Sequence, residues 1–301
     1  MSKDKTKKKT KFKGERTRST LIIVAGLIVF LGTIIADFTV GYTLIIAAVS
    51  AAATYELTKA VGAKSKVLFA VSCAVSALFV CSVGFKISLP FAPVLFSFYV
   101  LAMLVITVVF NQKIKYTDTV MALFASVAAP YALSCFIRLQ NIRDLNPEFT
   151  RFEGFALVAF AFTCSWVTDS FAFLVGRKIG RHKMTPNISP KKSVEGAVFG
   201  TLITAAINVL LFALFSLIFS KMGHSNLMGA GNMKYLVAFP ISCVLSVVSM
   251  FGDLAASVLK RNVGIKDYSN LLPGHGGIVD RFDSCFFVLP VLYGILEIIY
   301  K

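Results

Sequence analysis

Long apolar runs separated by short polar stretches recur from residue 21 almost to the end of this chain, and they decide what it can fold into. A helix that crosses a bilayer needs about 20 predominantly apolar residues, and in hydrocarbon only a helix or a closed barrel satisfies its own backbone. The runs read as Leu21–Ala36, Val40–Tyr55, Val67–Val83, Phe91–Phe110, Thr119–Ile137, Phe155–Val175, Val198–Phe219, Tyr235–Phe251 and Cys285–Ile299. The expectation is an all-α integral membrane protein of about nine transmembrane helices, with eight or ten still admissible because the first two runs are short. Hydrophobic residues make up 56% of the 301 and charged ones only 15%, well below the roughly 25% of a soluble domain. Nine spans leave too little chain for a large separate soluble domain, so any chemistry must sit in loops or at helix ends. The organisation read from this pattern is a disordered basic tail over 1–19, about five helices over 20–153, and about four helices over 154–301 that carry polar loops at 177–197 and 252–284.

Charge sets the expected orientation. With nine spans, 24 of the 31 Lys and Arg residues fall on the side of the N-terminal tail and 7 on the other. Basic residues are retained on the cytoplasmic side, so the tail and the loops 177–197 and 252–284 are expected there, in the cell membrane or its equivalent. The tail, which carries Lys3, Lys5, Lys7, Lys8, Lys9, Lys11, Lys13, Arg16 and Arg18, reads first as a solvated topogenic signal and second as a clamp on anionic lipid headgroups. No small-x-small cleavage pattern follows the first run, so a removed signal peptide is not expected. The net charge of +16 is topology, and no base-reading motif accompanies it, so no nucleic-acid partner is expected. The six cysteines lie in or beside apolar runs with no C-x-x-C pair and read as small packing residues.

Three polar stretches break the pattern. Asp169 lies inside a span, where an ionisable group is costly; it is either a functional acid or the partner of a basic residue on a neighbouring helix. Next comes Ser189-Pro190-Lys191-Lys192-Ser193-x-Glu195-Gly196. Here Pro190 stops any preceding helix, Ser193 reads as the N-cap of the next, and two lysines with two hydroxyls at a helix start suit an anion. The richest stretch runs from Gly252-Asp253 to Asp283. Asp253, Ser257 and Arg261 are spaced to share a helix face with Lys260 close by. Gly274, Gly276 and Gly277 allow backbone N–H groups to turn toward an oxyanion. Asp280 and Asp283 share the start of the next helix. Carboxylates interspersed with basic residues and a glycine-rich backbone are what a magnesium-bound polyphosphate requires.

The segment Ser257-x-Leu259-Lys260-Arg261-x4-Lys266-Asp267-x-Ser269-x2-Leu272-Pro273-Gly274-His275-Gly276-Gly277-Ile278-x-Asp280-Arg281-Phe282-Asp283 resembles the signature of the phosphatidate cytidylyltransferases (CDP-diacylglycerol synthases). The Ser-Pro-Lys-Lys-Ser-x-Glu-Gly block and the Thr168-Asp169 span with Gly176-Arg177 resemble other landmarks of that family. Ser193 stands where Thr is more usual, and Phe171 where a small residue is. The resemblance covers about Phe155–Ile299; before that only hydropathy is similar. It implies a nucleotidyltransferase that makes CDP-diacylglycerol and pyrophosphate from CTP and phosphatidate in phospholipid biosynthesis, working at the lipid bilayer with magnesium and room for a second metal ion. A homodimer is an admissible assembly.

On this reading Asp253 and Asp280 are the principal metal ligands, with Asp283 and Asp169 as further candidates. Lys260, Arg261 and Arg281 neutralise phosphates. Ser189, Lys191, Lys192, Ser193, Ser257, Lys266, His275, Gly276 and Gly277 are candidates to bind CTP or the lipid phosphate, and His275 is equally suited to stabilising its own turn. The rivals are another CTP-using lipid enzyme, such as a CDP-archaeol synthase or a CTP-dependent polyprenol kinase, and a transporter. A transporter would place its site at mid-bilayer between repeated halves, which this sequence lacks.

Overall fold

A computed structural model describes residues 20–21, 24–26, 28–221, 233–271 and 276–300. The basic tail, His224, Gly274 and His275 lie outside them. In chain order the elements are α1 (Thr39–Ala60), α2 (Lys66–Gly84), α3 (Ala92–Val109), α4 (Tyr116–Gln140), α5 (Arg151–Phe162), a π-helical turn (Thr163–Val167), α6 (Thr168–Ile179), β1 (Lys183–Thr185), β2 (Ser189–Ser193), α7 (Val194–Lys221), α8 (Met233–Asn262), α9 (Val279–Phe282) and α10 (Cys285–Tyr300).

Among the described residues, seven helical stretches are long and apolar enough to cross a membrane: Thr39–Ala60, Lys66–Gly84, Ala92–Val109, Tyr116–Gln140, Arg151–Ile179, Val194–Ile218 and Leu236–Asn262. Val24–Ile35 and Cys285–Tyr300 are apolar but shorter. The protein is therefore a multi-pass, mostly helical membrane protein. The two shorter helices correspond to the first and last of the nine runs read from sequence. Along α3, Phe96, Phe98, Leu101, Val105 and Val108 are exposed, as side chains against hydrocarbon must be.

The two strands among the described residues form the antiparallel hairpin β1–β2, with Lys183 opposite Ser193 and Thr185 opposite Ser189. Pro190 is tolerated because both strands of a two-stranded sheet are edges, where a missing N–H breaks no ladder.

The chain divides into two compact units, Met1–Tyr131 with Val263–Arg281, and Ala132–Asn262 with Phe282–Lys301. The segment Val263–Arg281 thus groups with the N-terminal helices. In the first unit α1 and α2 are joined inside the apolar layer by hydroxyls. Ser50 Oγ and Ser76 Oγ lie 2.7 Å apart, and Thr54 Oγ1 donates to Ser76 Oγ at 2.9 Å. Tyr99 of α3 meets Ser126 of α4 at 2.5 Å. A core of Ala63, Leu68, Tyr99, Met103, Ile114 and Ala122 packs around these contacts.

In the second unit the start of α5 is held by Glu153, whose carboxylate accepts the N–H of the N-cap residue Thr150. Helices α6 and α7 approach so closely that a Cβ on Gly196 would lie 2.4 Å from the Ala172 carbonyl oxygen. A polar seam runs through the interior. Thr168 Oγ1 donates to Ser246 Oγ at 2.9 Å and to Thr204 Oγ1 at 3.1 Å. Asn208 Nδ2 donates to Ser242 Oγ at 2.7 Å and to Cys164 Sγ at 3.1 Å. These buried hydroxyls and the Asn208 amide thus find partners within the seam, as a low-dielectric interior demands. All six cysteines are free.

Candidate active site

In the second unit, charge gathers at one end of this seam. Asp169 stands in the first turn of α6, one residue beyond the buried Thr168. Asp253 lies in α8, and Lys192 reaches them from β2. The Lys192 ammonium is paired with Asp253 Oδ2 and lies 3.6 Å from Asp169 Oδ1. The three side chains are 19%, 24% and 33% exposed for Lys192, Asp253 and Asp169. Ser284 Oγ donates to Asp169 Oδ2 at 3.0 Å, and the Ser284 N–H donates to Asp283 Oδ1 at 2.8 Å. Of the two readings open for Asp169, the structure thus provides a basic partner, but that partner sits on a strand and not on a neighbouring helix.

The Ser-Pro-Lys-Lys-Ser-x-Glu-Gly block builds this arrangement piece by piece. Strand alternation turns Lys191 outward and Lys192 inward. Ser193 Oγ accepts the Gly196 N–H at 3.2 Å, the N-cap expected of it. Glu195 accepts the backbone N–H groups of Arg181 and His182 at 3.1 Å each and lies 2.6 Å from His182 Nδ1, so it closes the hairpin at its base. Glu195 and His182 are thus each other's partner. On α8, Asp253, Ser257 and Arg261 take the shared face their spacing implied, with Lys260 half-buried and Arg261 exposed.

Asp283 is held near neutrality. Burial pushes its carboxyl up to about 7, Asp253 and Asp169 add to the rise, and the Ser284 N–H and Lys260 pull against it. A carboxyl raised in this way keeps, in the folded chain, a proton that the unfolded chain releases from about pH 4 upward. Its contribution to stability is therefore complete below about pH 4 and is lost as pH climbs toward 7. In buffer containing a chelator, Asp283→Asn is expected to raise the thermal midpoint by several degrees at pH 8 and hardly at pH 4. Equal shifts at the two pH values would contradict this account.

In the first unit, Asp280 and Glu56 organise the Gly-rich loop. Asp280 Oδ2 accepts the N–H groups of Tyr268 at 2.8 Å and Gly277 at 2.9 Å. Glu56, buried in α1 at 1% exposure, accepts from Ser269 Oγ at 2.5 Å, from the Ile278 N–H at 3.0 Å and from the Val279 N–H at 2.9 Å. Among the described residues of the loop, the N–H groups of Gly277, Ile278 and Val279 thus meet carboxylates of this protein. Gly276 holds a left-handed φ of +81°, and a Cβ on Gly277 would lie 2.5 Å from Glu56 Oε2, so both positions need glycine for reasons of the loop itself. Lys266 and Arg281 are exposed on the same segment, Ser189 is half-buried on β2, and His275 lies outside the described residues.

Among the described residues no three His, Cys, Asp or Glu side chains form a ready metal cage. Magnesium does not need one, since one or two carboxylates complete its shell together with phosphate oxygens and water. Asp169 and Asp253 already direct oxygens at a common positive point, the Lys192 ammonium, and a pair of this kind fits such an ion.

A polytopic helical membrane protein with acids and bases clustered at its helix ends is the class that fold and site define. Within that class the chain belongs to the Cytidylyltransferase family, whose sequence model matches residues 16–299. It is 36% identical over 201 residues to a phosphatidate cytidylyltransferase of Bacillus subtilis strain 168, covering 67% of this chain and 66% of that protein. Proteins of the same name from Staphylococcus saprophyticus and from Staphylococcus aureus strain COL are 42% and 40% identical over 143 residues, which is 48% of this chain and 50% of each relative. The chain thus spans from half to about two thirds of the length of these curated relatives.

Proposed function

We propose that this protein is a CTP:phosphatidate cytidylyltransferase. An oxygen of the phosphatidate phosphate attacks the α-phosphorus of CTP, the bond from that phosphorus to the β-phosphate bridge breaks, and CDP-diacylglycerol and pyrophosphate leave. The attacking group is a phosphate monoester whose second pKa is about 6, so near neutral pH it is already a dianion and needs no activating base. Bringing anions together is the barrier, and positioning with charge neutralisation is how it falls.

The observation that carries the reading is the Asp169–Lys192–Asp253 group, in which Asp169 and Lys192 come from the two blocks that resemble the family's landmarks and Asp253 comes from α8. Lys192 and Lys260 act beside these acids, while Lys191, Arg261, Lys266 and Arg281 supply exposed positive charge for the phosphates. Asp253 and Asp280 are the proposed metal ligands, with Asp169 and Asp283 as further ones. Bound magnesium would supply charge neutralisation of the triphosphate. The proposed topology has nine spans, the N-terminus in the cytoplasm, and the charged helix ends at the inner face of the cell membrane. There CTP arrives from the cytosol and the acyl chains stay in the bilayer.

The test is incorporation of label from CTP into chloroform-extractable lipid by the purified protein. The expected result is label only when phosphatidate and magnesium are both present, with one pyrophosphate released per lipid. Release of CDP with a phosphorylated lipid would identify a kinase and refute the proposal.

A further inference from the structure

Glu56 belongs to no motif. It is the single acid between Asp37 and Asp118, near the end of an apolar helix, yet it accepts three hydrogen bonds from the signature segment. Its two oxygens are divided. Oε1 takes Ser269 Oγ and the Ile278 N–H, while Oε2 takes the Val279 N–H. Ser269 and Val279 flank the glycine-rich turn on either side, so one carboxylate staples the two ends of that turn to α1. Asp280 performs the complementary task, taking Tyr268 before the turn and Gly277 after it. Three successive N–H groups, from Gly277, Ile278 and Val279, are thereby shared between two acids, and each would be a costly orphan at this depth without its acceptor. Ser269 Oγ also accepts the Leu271 N–H at 3.1 Å, which extends the staple into the approach to the turn.

We propose that Glu56 is a positioning residue for cytidylyl transfer. From α1 it fixes the chain at Ser269 and the backbone at Ile278 and Val279, and through these the neighbouring side chains of Asp280 and Arg281. The inference rests on the function proposed above, because it assigns this loop to that reaction; the hydrogen bonds themselves do not depend on it. A carboxylate is required, because an amide at this position would turn its NH2 toward the same N–H donors.

The experiment uses the full-length protein in detergent micelles and measures turnover together with hydrogen–deuterium exchange. In Glu56→Gln, the peptide covering 276–282 is expected to exchange at least tenfold faster, exchange in α5 and α8 is expected to stay as in the wild type, and kcat/KM for CTP is expected to fall about 30-fold. A merely structural role would instead raise exchange across the helices together. Unchanged exchange at 276–282, or a loosened loop with wild-type turnover, overturns the proposal. Should Glu56→Gln fail to fold, Ser269→Ala removes one donor and leaves two. It is expected to show the same local loosening with about a threefold loss of kcat/KM, and wild-type exchange and turnover in that variant also overturn the proposal. If the wild type transfers no cytidylyl group while Glu56→Gln still loosens 276–282, the functional reading fails and the staple stands.

Discussion

Asp253→Asn protein, purified and still helical, is expected to retain less than 1% of wild-type turnover with CTP and phosphatidate. The change keeps the size and polarity of the side chain and removes its charge, so the loss reports electrostatics and not packing. Lys192 would keep only Asp169, 3.6 Å away, and one of the two carboxylates that converge on a cation would be gone. A hundredfold loss corresponds to about 2.7 kcal/mol of transition-state stabilisation, a modest demand on a charge at a phosphoryl-transfer site. The magnesium concentration for half-maximal residual activity should rise in parallel. Asp280→Asn should be comparably inactive for a related reason, because its amide oxygen can still accept from Tyr268 and Gly277 and only the charge is lost. Near-wild-type turnover in Asp253→Asn would remove the metal assignment.

Lys192→Met is expected to show the largest effect on stability. The methionine replaces most of the buried stem but leaves Asp169 and Asp253 facing one another without the ammonium between them. Removing one partner of a largely buried ion pair costs about 3–5 kcal/mol, and the partial exposure here brings that to about 2–3. In chelator the thermal midpoint should therefore fall by several degrees. Added magnesium should restore more of it than it adds to the wild type, since the carboxylates are then open to a cation. The double variant Lys192→Met with Asp253→Asn should recover much of the loss, because it deletes the repulsion as well as the pairing. A Lys192→Met midpoint equal to the wild type would mean that the ion pair contributes nothing to folding.

The spans, the Ser193 cap and the shared face of Asp253, Ser257 and Arg261 were legible because each is a local pattern whose period or spacing carries its own physics. The hairpin was not, since Ser189-Pro190-Lys191-Lys192-Ser193 shows no apolar alternation and contains a residue that opposes strands; it forms because Glu195 and the Val194 N–H tie it to the Arg181–His182 turn. Lys192 was read as an anion ligand, because no sequence distance indicated that two acids from α6 and α8 would meet it. Glu56 was missed because 213 positions separate it from Ser269. The one available signal was its isolation as an ionisable residue beside an apolar run, which by itself marks a residue with work to do.

The π-helical turn at Thr163–Val167 has a geometric consequence. Each residue of an α-helix advances about 100° around its axis, and a wider turn absorbs one more residue than regular winding would. Everything after Val167, beginning with Thr168 and Asp169, is therefore rotated out of phase with α5. The aromatic and apolar stripe upstream can face its own neighbours while the charged end is aimed independently, so a single-residue deletion in this turn would swing Asp169 away from Lys192 without altering one side chain of the charge cluster.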